Sequence, residues 1–140
     1  MTPILDVIHI YILADTFKKP PSVKMSLIEQ ETLVNICRAI KARKVIRILY
    51  ENLSAGTKDW RTVEPYLVGS FPRKNIQLSA WYLPTPEQIA RGQNGDWRSY
   101  TIKNIAGLEV LNIEIQKSRP GYNPTATGMK VLCYFEEIDA

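Results

Sequence analysis

Asn75 to Leu83 reads NIQLSAWYL. Ile76, Leu78 and Ala80 alternate with Gln77, Ser79 and Trp81, the period-two pattern of a strand with one buried face. Pro84 and Pro86 stop it. Its end raises a question of register, because Trp81, Tyr82 and Leu83 are consecutive bulky residues and neighbours on a strand point to opposite faces. The alternation assigns Trp81 to the side of Ser79 and Gln77, and Tyr82 to the other.

The same reading extends upstream. WRTVEPYLVGSF (Trp60 to Phe71) is a second extended stretch, in which Pro65 implies an edge, bend or bulge and Gly69 another irregularity. FPRKN makes the turn between these two strands. KVIRILYE (Lys44 to Glu51) is rich in β-branched residues and predicts a strand ending at Tyr50, followed by the turn or short loop NLSAGTKD. Before it, SLIE (Ser26 to Glu29) has the form of a capping box. Leu33, Cys37 and Ile40 follow at helical spacing, widened by Val34 and Ile36, with Glu31, Asn35, Arg38 and Lys41 opposite. This predicts one amphipathic helix over residues 27–42, packed on a sheet.

Downstream, EQIARGQNGD (Glu87 to Asp96) is a polar connection. WRSYTIK (Trp97 to Lys103) alternates again. GLEVLNIEIQ reads as strand, or as a short turn and then strand. SRPGYNPTATG is a loop, and MKVLCYFEE (Met129 to Glu137) is the last strand. The expected fold is mainly β: an amphipathic helix followed by five or six short antiparallel strands, about the number that closes a small barrel. A helix-turn-helix is not expected, because no second and third helix joined by a turn follow the first.

The chain has 140 residues, enough for one ordinary domain. The expected boundaries are residues 26–137 for that domain and 1–25 for an N-terminal arm or packing helix, divided by the prolines of KKPPSV. ILDVIHIYILA (Ile4 to Ala14) is too short to span a bilayer and carries Asp6 and His9. No basic region precedes it as in a signal peptide. The expectation is a soluble, cytoplasmic protein. Cys37 and Cys133 lie in apolar segments with no partner spacing and read as reduced core thiols. With His9 the lone histidine, neither a zinc site nor a histidine-based catalytic system is expected. No glycine-rich phosphate loop is present. The chain reads as no enzyme, with no catalytic residue, no metal and no cofactor.

Charge is unevenly spread. Residues 38–103 carry twelve basic and five acidic groups, a balance of +7, within a chain of net +4. Such a bias suits a nucleic-acid or phosphate footprint, and equally a solvated lysine and arginine surface. Arg47, Arg61 and Arg98 each lie in a strand. Singly each is compatible with a surface ion pair; together they form a candidate anion site, because the planar guanidinium meets phosphate bidentately. Tyr50, Trp60, Trp81, Trp97 and Tyr100 lie in or beside the same strands, as core residues or as stacking surfaces for bases.

Taken in order, these pieces resemble the WYL domain family. LVNICRAI is followed by VIRILY, then by RTVEPYLV, a central strand, and RSYTIKNI, over roughly residues 30–115. The family's name-giving triplet falls on Ile76-Gln77-Leu78, with Ala80 at the small position. The literal Trp81-Tyr82-Leu83 comes five residues later, an odd offset that reverses the faces. Where the family commonly shows Asp-Arg-Ile, this chain has Lys103-Asn104-Ile105. The resemblance implies a small Sm-like or SH3-like β-barrel acting as a ligand-sensing or single-stranded nucleic-acid-binding regulatory domain. Bacterial proteins of this kind usually attach it to a helix-turn-helix, and several serve DNA-damage or phage-defence regulation. Arg61 and Arg98 are the implied site residues, with Tyr50 and Tyr100 behind them and Arg47, Gln77 and Lys103 completing the candidate set. The implied ligand is single-stranded nucleic acid or a phosphorylated nucleotide. A DNA-binding regulatory partner protein or a second copy of the chain is a possible associate. The alternative reading is a protein-interaction or oligomerisation module.

Overall fold

Ser26 starts the helix that its sequence predicts. In a computed structural model describing residues 25–70, 75–125 and 129–137, α1 spans Leu27–Lys41 and the Ser26 hydroxyl accepts the Glu29 N–H at 3.2 Å. This satisfies one of the donors that a first helical turn leaves open. Leu33, Val34, Ile36, Cys37, Ala39 and Ile40 are buried along one stripe. The helix ends at Ala42, and Arg43 reverses the chain at φ 62°, a conformation uncommon for a residue with a side chain. The Arg43 guanidinium donates to the carbonyls of Ile115, Gln116 and Glu136, anchoring the C-terminal segments where the helix turns into the sheet. The arm or packing helix expected in the first 24 residues, His9 included, lies outside the described residues. No described helix is long and apolar enough to cross a membrane.

Six strands follow: β1 (Lys44–Asn52), β2 (Thr57–Ser70), β3 (Ile76–Tyr82), β4 (Asp96–Thr101), β5 (Ile105–Glu114) and β6 (Lys130–Tyr134). All pair antiparallel in the order β4-β3-β2-β1-β5, with β6 also beside β2. Pro65 does mark a bulge: the β2–β3 register shifts between Pro65 and Leu67. The polar connection after β3 contains a short helix, α2 (Pro86–Ala90). Thr85 caps it in a reciprocal box with Gln88, and Pro86 occupies a first-turn position where a missing N–H costs nothing.

The expected closed barrel does not form. The sheet is open, because its edge strands β4 and β5 do not pair with each other. A 3-10 turn, Ile102–Asn104, carries the chain from one edge to the other in three residues. Ile102 fills the space beneath it and is 2% exposed. Across the seam the Tyr50 hydroxyl accepts the Thr101 N–H at 3.1 Å.

The sheet has two faces. Ile46, Ile48, Val63, Leu78, Ala80 and Tyr100 lie on the side covered by α1. On the other side Tyr66, Trp81 and Trp97 pack with Tyr122 and Phe135 at ring-centroid distances of 5.0–6.4 Å. Trp81 and Tyr82 therefore face opposite ways, as the alternation predicts.

The cysteine expectation is overturned. Cys37 on α1 and Cys133 on β6 form a disulfide, with Cα atoms 5.8 Å apart. The two are 96 positions apart in sequence, so only the packing of α1 on β6 brings them within bridging distance. Thiol titration of the unfolded, unreduced protein should accordingly find neither cysteine free. Replacing both by alanine should lower stability by roughly 2–4 kcal/mol, the usual effect of a crosslink that closes a long loop. Urea unfolding of native and variant protein measures the difference.

Candidate functional site

Beside the seam between β4 and the β1–β2 hairpin is an open depression of about 560 Å3. Arg61, Arg98, Tyr50 and Tyr100 all line it, so four of the seven candidate residues come together. The topology explains this. Arg61 sits opposite Ile48 and Arg98 opposite Ala80, both on the core side of the sheet but close to its edges. The ring of Tyr50 meets Tyr100 edge-on at 4.9 Å.

Their electrostatic states differ. Among the described residues, no carboxylate lies within ion-pair distance of Arg61. Arg98 donates from Nε to Asp96 at 2.9 Å and lies over the Tyr82 ring at 3.9 Å. This contact holds the guanidinium plane by cation–π attraction. Tyr100 is 2% exposed, and among the described residues its buried hydroxyl finds no acceptor for its own O–H, with Arg61, a donor only, beside it. Burial raises its pKa, while the charges of Arg98 and Arg61, and the approach of the Arg61 N–H groups to its oxygen, pull the other way. A buried hydroxyl without a partner costs free energy, so the unfilled donor marks where an acceptor would be favourable.

The other three candidates lie elsewhere. Arg47 is on the opposite face, paired with Glu109 at 2.9 Å and stacked 4.7 Å from the Trp60 ring. That is the ordinary surface ion pair allowed for it by its sequence. Gln77 points to the same side as Trp81 and donates to the Thr101 hydroxyl at 3.1 Å. Lys103 is exposed on the 3-10 turn, and its neighbour Asn104 is the one that lines the depression. Trp81 and Tyr82 do not line it either.

Sequence reasoning missed a second polar cluster. Glu64 is 8% exposed in the middle of β2. Its carboxylate accepts from Arg119 Nε at 2.8 Å, from Arg119 Nη2 at 3.0 Å and from the Tyr66 hydroxyl at 2.8 Å. Arg119 also lies 5.4 Å from the Trp81 ring, and Trp97 Nε1 donates to the Pro120 carbonyl at 2.8 Å. These bonds strap residues 119–122 across the aromatic face. The available signal was Glu64 itself, because a carboxylate inside an apolar strand stretch requires a donor. Among the described residues there is no group of three side chains suited to a metal ion.

Two outcomes test this cluster. Arg119→Ala leaves a buried carboxylate with one neutral donor, and should lower the urea midpoint by the equivalent of roughly 2 kcal/mol. In the Glu64→Gln background the same change should cost clearly less, which a double-mutant cycle reads. The second outcome concerns alkaline pH. Burial is the first cause raising the pKa of Tyr66, Tyr100 and Tyr122. Above the ordinary tyrosine value of about 10 the unfolded chain loses protons that the folded chain keeps. Their contribution is complete below pH 10 and declines as pH rises through the folded values. Ultraviolet phenolate titration should show these three ionising only as the protein unfolds.

Among curated proteins, none matches the chain. Its fold is similar to the solved structure of proteasome accessory factor B/C (PafBC) of Arthrobacter aurescens, with a TM-score of 0.53 and 15% identity. That likeness covers 80% of this chain and 22% of the PafBC chain. Residues 31–110 match the WYL domain family model. This is more than half of the chain, and it runs from the middle of α1 through β4 into β5, including Arg61, Arg98, Tyr50 and Tyr100. The chain belongs to the WYL domain family.

Proposed function

We propose that this WYL domain is a non-catalytic regulatory module that binds single-stranded nucleic acid or a phosphorylated nucleotide at the depression formed by Arg61 and Arg98. One observation carries the reading. Among the described residues, an arginine with no carboxylate within ion-pair distance and a buried tyrosine hydroxyl without an acceptor line the same concavity. An anion accepting from both would satisfy the two together. Arg98, held by Asp96 and Tyr82, presents its remaining N–H groups from a fixed position. The rings of Tyr50 and Tyr100 and the exposed side chain of Leu53 supply apolar surface beside the charges, which suits a base stacked next to its phosphate.

The proposed setting is the cytoplasm, in company with a DNA-binding regulatory partner. Burial of Cys37 and Cys133, 1% and 5% exposed, shields the disulfide there from soluble thiols. A second reading is supported by β5, a sheet-edge strand on which Val110 and Ile113 are more than half exposed. Such an edge suits a protein partner. However, the β1–β5 register is irregular at two points, which blunts strand addition.

Fluorescence-anisotropy titration of short single-stranded DNA and RNA at two salt concentrations tests the leading reading. Affinity should fall with salt, with a slope of roughly −0.7 per phosphate contact. Arg61→Ala with Arg98→Ala should abolish binding while leaving the circular dichroism unchanged. Arg61→Lys should also weaken it, because the charge survives but the fork does not. A folded double variant that bound as tightly as native protein would remove these arginines from the site. No binding by native protein would move the balance to the interaction reading.

A further inference from the structure

We infer that Gln88, on the short helix α2, is a positioning residue for the anion site and holds Arg98 in place through the ring of Tyr82. The ligand side of this inference rests on the reading above, whereas the placement of Arg98 is a property of the chain alone. Gln88 does not itself line the depression. Its side-chain oxygen accepts twice, from the Thr85 N–H and from the Tyr82 hydroxyl, both at 2.8 Å. Its own N–H donates to the Thr85 hydroxyl at 3.2 Å. The two bonds with Thr85 are the capping box of α2. The bond from Tyr82 is no part of a cap. It ties β3 to a helix that buries none of its own residues.

Tyr82 carries that tie into the site. Its side chain, 7% exposed, stands between Val63 of β2 and Asp96 of β4. The Arg98 guanidinium lies over the ring at 3.9 Å and donates from Nε to Asp96 at 2.9 Å. Gripped by its face and at Nε, it keeps both terminal nitrogens for an anion. A side chain already ordered in this way gives up less freedom when the ligand arrives. The far end of the β3–β4 connection sets the second grip. Gly95 directly precedes Asp96, and a Cβ there would fall 2.7 Å from the Tyr82 carbonyl oxygen and closer still to the Trp81 ring. Glycine alone lets the chain return so near to β3. The connection thus meets Tyr82 twice, at its hydroxyl through Gln88 and beside its carbonyl at Gly95. Both supports of Arg98, the ring and the carboxylate, depend on it. A residue serving only to cap α2 would have no effect on Arg98.

The experiment follows the Arg98 Nε–H by nitrogen NMR in the isotope-labelled full chain, its cross-peak assigned by its loss in Arg98→Lys. Held over an aromatic ring, that signal should be displaced from the position of solvent-exposed arginines. Gln88→Ala should move it towards that position. Tyr82→Phe, which keeps the ring and the cap but removes the bond between them, should move it in the same direction. Gln88→Glu, whose carboxylate accepts from both donors, should keep it in place. Anisotropy titration with short single-stranded DNA then reads the consequence. Gln88→Ala should weaken binding by about two- to tenfold, the range for immobilising one long side chain on binding. In an Arg98→Ala background that retains Arg61, the same change should have no further effect. An Arg98 signal unmoved by Gln88→Ala or by Tyr82→Phe would overturn the inference. A loss of affinity that persisted undiminished without Arg98 would overturn it too, and would leave the nucleic-acid reading standing. Native protein that bound no strand would overturn that reading, and the Arg98 signal would still decide whether Gln88 holds the guanidinium.

Discussion

Much of this structure depends on a single residue that cannot donate a hydrogen bond. Strand β2 pairs with β3 along one edge, but its other edge serves two strands in turn. Residues 57–63 pair with β1 and residues 67–70 with β6. Pro65 sits between the two ladders and has no N–H to offer either. The chain bulges there, and the Phe135 N–H reaches the Tyr66 carbonyl at 2.7 Å just beyond it. A strand of fourteen residues can thus bend through the molecule without stranding its backbone groups. It also places Glu64 and Tyr66, on either side of the proline, close enough to share a hydrogen bond.

From that bend follows a division of labour between the faces. Before the bulge β2 presents Arg61 and Val63 to the side of α1, Val63 in the core and Arg61 nearer the edge. Beyond it β6 lies alongside β2, and its Cys133 bonds to Cys37 of the helix. The opposite face is closed by the strap of residues 119–122, through Arg119, Pro120 and Tyr122. Arg119 and Arg61 thus sit in contrasting states. Arg119 spends its fork on a buried carboxylate, and that bond contributes to the fold. Among the described residues, Arg61 has no carboxylate within ion-pair distance.

How much of this was legible in the sequence varies with the range of the interaction. The strands and α1 were legible because a repeating apolar pattern is a local signal, and Ser26 marked the helix start. The opposite facing of Trp81 and Tyr82 followed from the same alternation. Helix α2 was missed although Thr85, Pro86 and Gln88 spell its cap, because five residues carry too little periodicity to stand out. The disulfide was not legible, since nothing near Cys37 or Cys133 indicates that α1 packs on β6. Arg119 was hidden in a loop, its importance set by a carboxylate 55 positions away. The number of strands was readable, but whether the outer two meet was not. Closure depends on how far the curled edges approach, and here a 3-10 turn occupies the gap. In the candidate site, the Arg61 and Arg98 strands were recognisable, whereas Arg47 lies on the opposite face and pairs with Glu109 across the ladder.

The failure to close is what gives the domain its depression. In a closed barrel the edge of β4 would be consumed by a ladder to β5, leaving no opening beside it. In the open sheet that edge borders the concavity, and Tyr50 uses its hydroxyl to hold the seam at a fixed width through Thr101. The ring of Tyr50 then contributes surface while its hydroxyl is already occupied, so Tyr100 is left as the tyrosine with donor capacity to spare. At its base the depression rests on Tyr100, a core residue. At its rim Leu53 and Ser54 are exposed. Under the proposed reading, an anion held by both Arg61 and Arg98 would tie β2 to β4. These strands are separated in the sheet by β3 alone. An added link between β2 and β4 would span β3 and leave the β4–β5 edge as open as the backbone leaves it.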